Sequence, residues 1–220
     1  MSASKPTFYP TPRLILASSS AYRRELLSRL QLPFEAVAPE IDEQAVAGES
    51  PEQTAMRLAQ QKAEAISRLF VGDANNTGNA RATGALIIGS DQVATLDGEQ
   101  IGKPGNHENA LRQLQKMRGR NVIFHTALCL LDTRKMTGEK FALQIENVQT
   151  KVQFRQLDDA ELDAYLRIEQ PYDCAGSAKN EGLGIAIIER IDNSDPTALT
   201  GLPLIALTSM LRNAGVRFFN

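Results

Sequence analysis

Cysteine and histidine are scarce in this chain, which limits the kinds of scaffold it can build. The 220 residues include two cysteines, Cys129 and Cys174, and two histidines, His107 and His125. No CxxC pair occurs, and the histidines supply no zinc-ligand spacing. The sequence therefore favours neither a zinc-bound nor a disulfide-stapled protein, and its cysteine content is typical of a reducing compartment.

Long apolar runs and an excess of basic charge are also missing. No run approaches the roughly 20 apolar residues of a membrane-spanning helix, and the opening MSASKPTFYPTPR lacks the apolar segment of a secretory signal. Lys and Arg number 24 against 26 Asp and Glu, a formal net charge of −2, whereas nucleic-acid binders are basic. We therefore expect a cytoplasmic protein with no membrane and no nucleic-acid partner. A local cationic pocket for a small polyanion stays compatible with this charge.

Hydrophobic residues make up 42% of the chain, enough for a full core, and strand-like and helix-like patterns alternate along it. Strands are predicted at residues 14–17, 34–38, 86–89, 122–131, 143–154 and 182–191. Helices are predicted at residues 21–30, 51–70, 106–117, 159–169 and 203–213. With a hairpin turn at Asp97-Gly98, this order predicts an α/β fold with a mixed twisted sheet and flanking helices.

Two segments have no packing pattern. Residues 1–13 are polar and punctuated by prolines, which predicts a flexible tail. Residues 72–84 are rich in glycine and asparagine and are predicted to be a surface insertion. Residues 14–220 are otherwise predicted to form a single domain.

Serines and arginines cluster at the start of the first predicted helix. Ser18 and its serine neighbours offer hydroxyls, and the free backbone N–H groups of a helix start favour an anion. Arg23 and Arg24 follow in the first turn, against the usual preference for acids there. A bound polyphosphate would resolve that conflict. An ordinary capped helix with surface arginines explains the segment equally well, and both interpretations stay open.

Two lysines occupy positions that suggest a bound anion. Lys62 falls on the apolar face of its helix with Leu58 and Ile66, where a lysine either reaches the surface or pairs with a buried anion. Lys103 stands between a glycine and a proline, on a short loop from which it could reach a phosphate. The chain contains neither GxxxxGK[ST] nor GxGxxG, so neither common nucleotide-binding fingerprint applies.

Carboxylates form a further candidate site. Asp91 directly follows a predicted buried strand, where a carboxylate is costly unless it is paired, metal-bound or functional. Asp42 and Glu43 add carboxylates on a separate loop, and Mg²⁺ commonly takes one or two carboxylates together with substrate phosphates. Alternatively, Asp91 caps a turn, because Ser-Asp-Gln is also favourable turn chemistry.

A loop of small residues, 174–182, precedes the last predicted strand. The backbone can approach a ligand closely there, and Glu181 could accept hydrogen bonds from the edge of a base. A plain connecting loop is the alternative. Cys174 has no neighbouring histidine to activate its thiol and is predicted to be structural.

Taken together, seven motifs in this order resemble the Maf family of nucleotide pyrophosphatases. They are LILASSSAYRR (14–24), IDE (41–43), AQQKA (59–63), IGSDQ (88–92), GKP (102–104), AGSAKNEG (175–182) and GLP (201–203). They span nearly the whole chain. The resemblance implies an inosine triphosphatase-like fold with two lobes around a nucleotide cleft, and often a homodimer. It also implies a small-molecule nucleotide as the partner, cleaved between its α- and β-phosphates.

The resemblance also implies roles for individual residues. Asp91 resembles the proton acceptor of the family, and together with Glu43 it would associate with a divalent cation, Mg²⁺ or Mn²⁺. The phosphate-binding set would be Ser18, Arg23, Arg24, Lys62 and Lys103.

Three further positions, Tyr22, Gln92 and Glu181, resemble the 7-methyl-GTP subgroup. A 7-methylguanine base is cationic, so stacking on Tyr22 would gain a cation–π interaction of roughly 0.5–2 kcal/mol. Glu181 could accept from the N–H groups of guanine. We therefore expect hydrolysis of 7-methyl-GTP to 7-methyl-GMP and pyrophosphate, a housecleaning role. The alternatives are a nucleotide-binding regulator of cell division with incidental hydrolysis, and a pyrophosphatase of other modified or canonical triphosphates.

Overall fold

Strands and helices alternate in the computed structural model, which describes residues 12–71, 84–137 and 140–219. Within these residues the strands are β1 (Arg13–Ala17), β2 (Glu35–Val37), β3 (Ala85–Leu96), β4 (Glu99–Ile101), β5 (Asn121–Thr137), β6 (Lys140–Phe154) and β7 (Ile188–Asn193). The helices are α1 (Ala21–Ser28), α2 (Pro51–Val71), α3 (His107–Met117), α4 (Asp159–Glu169) and α5 (Leu204–Asn213). The predicted tail and insertion fall almost wholly on residues 1–11 and 72–83, outside the described residues, and stay predictions.

The strands form one mixed sheet in the order β2-β1-β3-β5-β6-β7, with β4 paired to β3. Strand β1 runs parallel to β2 and β3, whereas the other pairs are antiparallel. The predicted class, an α/β fold with a mixed sheet and flanking helices, is therefore confirmed. No helix in the described part of the chain is both long and apolar enough to cross a membrane.

Local capping chemistry explains where the helices begin. At the start of α2, Gln53 N donates to Ser50 Oγ at 3.2 Å and Ser50 N donates to Gln53 Oε1 at 2.8 Å. This reciprocal pair is a capping box, the arrangement favoured by a serine followed three residues later by a glutamine. Asp158 caps α4 by accepting from Glu161 N at 2.9 Å. Leu69 lies one turn after Ile66 on α2, but its side chain is exposed rather than buried, at 62%.

The helices divide the core into parts on the two faces and at the far end of the sheet. Alternate residues of β1 point to opposite faces, Leu14 to the core under α1 and α5 and Ile15 to the core under α2. A further core lies around α3, α4 and the ends of β5 and β6, where Phe124 and Leu166 are buried. The parts on the two faces of the sheet form one lobe, and the part at its far end forms the other. A cavity opens between these two lobes.

Two predicted strand boundaries are corrected. The strand predicted at 86–89 continues to Leu96, because β3 goes on pairing with β5 beyond Asp91. The segment predicted as a strand at 182–191 is a 3-10 turn over Leu183–Ile187 followed by β7. Here Gly184 packs closely against the preceding loop, because a Cβ built on Gly184 would lie 2.5 Å from Lys179 O. The run of apolar residues therefore reflects packing of a turn rather than strand alternation.

Candidate active site

A cavity of about 610 Å³ lies between the two lobes, within the range of small-ligand sites. Both lobes contribute to its lining. The contributing segments are residues 18–23, 100–103, 173–175 and 199–201, and the single residues Glu43, Lys62, Asp91, Gln92 and Glu181 also line it. Motifs that are far apart in the sequence therefore meet around one space.

The gap between two neighbouring strands explains the position of Asp91. The last pair between β1 and β3 joins Ala17 to Gly89, and the first pair between β4 and β3 joins Ala94 to Ile101. Between these pairs, that edge of β3 has neither strand beside it. Asp91 therefore lies beyond the carboxyl end of β1, the position where open α/β sheets bind ligands. It does not cap a turn.

Lys62 joins the two acidic residues of the site. Its Nζ lies 2.6 Å from Asp91 Oδ1 and 2.7 Å from Glu43 Oε1. Lys62 is 6% exposed and Asp91 is 8% exposed, so the alternative in which Lys62 reaches the surface is wrong. The hydrogen bond from Lys62 lowers the pKa of Glu43, with further electrostatic help from Lys103 and Arg23. Glu43 therefore remains a carboxylate at neutral pH.

Arg23 enters the cavity from the first turn of α1. Its Nε donates to Gly201 O at 2.8 Å, and its backbone N–H donates to Ser20 Oγ at 3.3 Å, which makes Ser20 the N-cap. Burial lowers the pKa of Arg23, while Asp91 and Glu43 act in the opposite direction. The guanidinium is thus a desolvated cation beside the two carboxylates.

The other predicted phosphate-binding residues differ in their placement. Ser18 is buried and Lys103 is exposed, and both line the cavity. Arg24 is exposed and does not belong to the lining, because consecutive residues of a helix point about 100° apart. With Arg23 directed inward, Arg24 is directed elsewhere. Its phosphate-binding role stays a prediction without support from this geometry.

Tyr22, Gln92 and Glu181 all line the cavity, as expected of residues that would contact a base. Partial burial raises the pKa of Tyr22, an effect that the nearby Lys179 ammonium opposes. Desolvation likewise raises the pKa of Glu181, again opposed in part by Lys179. Lys179 itself lies 3.8 Å from Asp173 and 3.9 Å from Glu169, so its charge is offset by two carboxylates.

The side-chain amide of Gln92 has a fixed orientation. Its Nε2 donates to Thr126 Oγ1 at 2.9 Å and to the carbonyl oxygens of Ala198 and Leu199 at 3.2 and 3.0 Å. Two carbonyls can face only the NH₂ end of the amide. The oxygen Oε1 is therefore the end of Gln92 that is left for a ligand.

Sequence reasoning missed the part played by residues 198–201. The carbonyl of Gly201 accepts from Arg23 and also from Ser90 Oγ, at 2.9 Å. The segment thus holds side chains from both α1 and β3. The GLP motif marks its position, but no sequence pattern indicates that its backbone oxygens are the acceptors.

The two carboxylates suit a hard divalent cation. Within the described ranges no group of three or more His, Cys, Asp or Glu side chains is arranged to hold a metal by itself. Asp91 and Glu43 nevertheless approach one another through a shared partner, Lys62. Mg²⁺ is usually bound by one or two carboxylates plus substrate phosphates, so this donor set fits such an ion together with a polyphosphate.

Comparisons with known proteins agree with the motifs. A family model described as Maf-like protein matches residues 13–214. A 7-methyl-GTP pyrophosphatase of Cupriavidus metallidurans is 62% identical over 94% of this chain and 96% of its own length. Proteins of the same name from Ralstonia nicotianae and Burkholderia thailandensis are also 62% identical, over 94% and 95% of this chain and 98% and 91% of their own.

Among solved structures, the Staphylococcus aureus Ham1 protein is 13% identical, with a TM-score of 0.49, over 92% of this chain and 99% of that one. The family match covers nearly the whole chain, and the relatives exceed half identity over almost their full length. The chain therefore belongs to the Maf-like protein family.

Proposed function

We propose that this protein is a nucleoside triphosphate pyrophosphatase that hydrolyses 7-methyl-GTP to 7-methyl-GMP and pyrophosphate. The observation that carries the proposal is the cluster of Asp91, Lys62, Glu43 and Arg23 at one cavity wall. A buried carboxylate beside cations is suited to accept a proton while charge develops on a phosphate. The names of the similar proteins point to the same reaction.

In the proposed reaction Asp91 accepts the proton of the water that attacks the α-phosphorus, and the α–β anhydride bond breaks. Arg23, Lys62 and Lys103 offset the negative charge on the departing pyrophosphate. Lys62 has a second role, since it orients the Asp91 carboxylate through a bond of 2.6 Å. Ser18 and the helix start behind it would bind phosphate oxygens.

The proposal includes a divalent cation, Mg²⁺ or Mn²⁺, held by Glu43 and Asp91. When bound, such an ion stabilises negative charge on phosphate oxygens. The chain's own part is to hold the two carboxylates close together. Lys62 does this in the structure described here, and a bound ion would share or replace its contacts.

Hydrogen-bond polarity supports the choice of base. The free end of Gln92 is an acceptor, and an ionised Glu181 is also an acceptor. Two acceptors suit a base edge that presents N–H donors, as guanine does at N1 and N2. The positive charge of a 7-methylated base favours the carboxylate of Glu181 and the ring of Tyr22.

Two other functions remain candidates: a regulator of cell division that binds nucleotides with incidental hydrolysis, and a pyrophosphatase of other modified or canonical triphosphates. Gln92 and Glu181 both present hydrogen-bond acceptors, which favours guanine derivatives over bases that themselves present acceptors. A homodimer and a cytoplasmic location also stay predictions.

The test is pyrophosphate release across a panel of nucleoside triphosphates with Mg²⁺ or Mn²⁺. We expect 7-methyl-GTP to have the highest kcat/KM, and Asp91→Asn to abolish turnover without loss of folded structure. Asp192→Asn is the matched control, because Asp192 is exposed, lies outside the cavity lining and has a side chain that pairs with Arg190. Binding without turnover would favour the regulator, and near-normal turnover by Asp91→Asn would refute the catalytic assignment.

A further inference from the structure

One side chain of α3 joins two loops that both contribute to the lining of the cavity. Gln113 Nε2 donates to Gly102 O at 2.9 Å, and Gln113 Oε1 accepts from Ser177 Oγ at 2.7 Å. Both ends of the amide are thus engaged. Gly102 directly precedes Lys103, and Ser177 lies in the loop that leads to Glu181.

On the phosphate side, α3 holds the backbone on both sides of Lys103. Gln113 holds the carbonyl of Gly102, and Asn109 Nδ2 donates to Pro104 O at 3.0 Å. Because Lys103 is exposed, its own packing does not fix its direction. The two amides of α3 therefore set the position of its backbone.

On the base side, the contact falls at a strained residue. Ser177 has φ 52, in the left-handed region that is uncommon for residues other than glycine, and it is fully buried. Tyr165 Oη donates to Ser177 O at 3.2 Å, and Gln113 accepts from the Ser177 hydroxyl. Strain of this kind persists only where surrounding contacts impose it, and it is concentrated at functional sites.

We propose that Gln113 is a positioning residue that couples the loop carrying Lys103 to the loop carrying Glu181, so that phosphate binding and base selection depend on one side chain. This inference rests on the proposed function, since it concerns the same nucleotide. Gln113 lies outside the lining of the main cavity. Its effect passes through Gly102 and Ser177.

The test compares Gln113→Met with Gln115→Met. Methionine keeps the length of glutamine but can neither donate nor accept at those positions. Gln115 lies on the same helix and donates from its side chain to Asp159 on α4 at 3.1 Å, so the control removes one hydrogen bond remote from both loops. The readouts are kcat and KM for 7-methyl-GTP and GTP, with the thermal unfolding midpoint.

We expect Gln113→Met to lower kcat/KM for both nucleotides by about tenfold and to reduce the preference for 7-methyl-GTP by roughly threefold or more. Gln115→Met should change neither quantity. Ser177→Ala, which breaks only the base-side bond, should reduce the preference and have little further effect in the Gln113→Met background.

Equal kinetics for the two methionine variants would overturn the proposal. So would a Gln113→Met variant that loses thermal stability but keeps its base preference, because that result indicates a structural role alone. If the wild-type protein released no pyrophosphate, the proposed function would fail, and the same comparison would then be made with binding affinities for the two nucleotides. Unequal affinities would still support the coupling, and equal affinities would refute it.

Discussion

Gly89 and Ala59 are in direct contact, with the backbone of β3 against the backbone of α2. A Cβ built on Gly89 would lie 2.0 Å from Ala59 O and 3.0 Å from Ala63 N. Lys62 lies between these two alanines in sequence, and Asp91 follows Gly89 by two residues, on the same face of the strand. The missing side chain of Gly89 therefore lets Lys62 reach Asp91 at 2.6 Å.

Gly89→Ala should impair the site more than the fold. The added methyl group must push α2 away from β3, at a cost of about 1–3 kcal/mol of stability, and it should lower kcat/KM by more than about tenfold because Lys62 is displaced. Ile87→Val, on the same face of β3, is the control and should cost about 0.5–1.5 kcal/mol with little change in kinetics. Thermal unfolding and pyrophosphate release measure the two effects. Equal kinetic losses would contradict the explanation.

Lys62→Met should abolish turnover and destabilise the fold. The substitution leaves Asp91 buried without its ammonium partner, and breaking such a pair costs roughly 3–5 kcal/mol. In an Asp91→Asn background the same change should cost much less, because the buried charge is already gone. Denaturant unfolding of the four proteins in this cycle gives the coupling. Additive losses would show that the two residues act independently.

The preference for 7-methyl-GTP over GTP should fall as the pH is lowered below neutral. Desolvation raises the pKa of Glu181, so its carboxylate takes up a proton at a higher pH than an ordinary glutamate does. Protonation removes both the negative charge and one acceptor from the base site. The ratio of kcat/KM values should be measured from pH 8 to pH 5. Glu181→Gln should have a low, flat ratio; a parallel decline in that variant would assign the titration to another group.

Cys174 should react slowly with alkylating reagents although it lines the cavity. Burial raises the pKa of its thiol to about 12, and Asp173 acts in the same direction. At pH 8 the thiolate is then roughly one part in ten thousand. Mass spectrometry after iodoacetamide treatment should find little modification of the native protein and full modification in denaturant. Cys174→Ser should retain activity; rapid native labelling would disprove the predicted inertness.

Much of the local structure could be predicted because it depends on neighbours in sequence. The capping box at Ser50 and the cap at Asp158 are contacts over three residues. The Asp97-Gly98 turn is likewise local, with φ 51 and 85 at its two residues. The helix boundaries and the mixed α/β class followed from such signals. The 3-10 turn at residues 183–187 did not, because its apolar run matches a strand whereas Gly184 packs closely on Lys179 of the preceding loop.

Sequence alone determined which residues belong together. Seven short motifs identified the family and supply more than half of the residues that line the cavity. Tertiary structure decided what each of them can do, because the deciding contacts join distant residues. Lys62 meets Asp91 over 29 positions, and Gln92 meets Leu199 over 107. Sequence periodicity does not encode contacts between residues so far apart in the chain. Only the packed structure therefore reveals that Arg23 points into the cavity, that Gln92 leaves its acceptor oxygen free, and that Gln113 joins two loops.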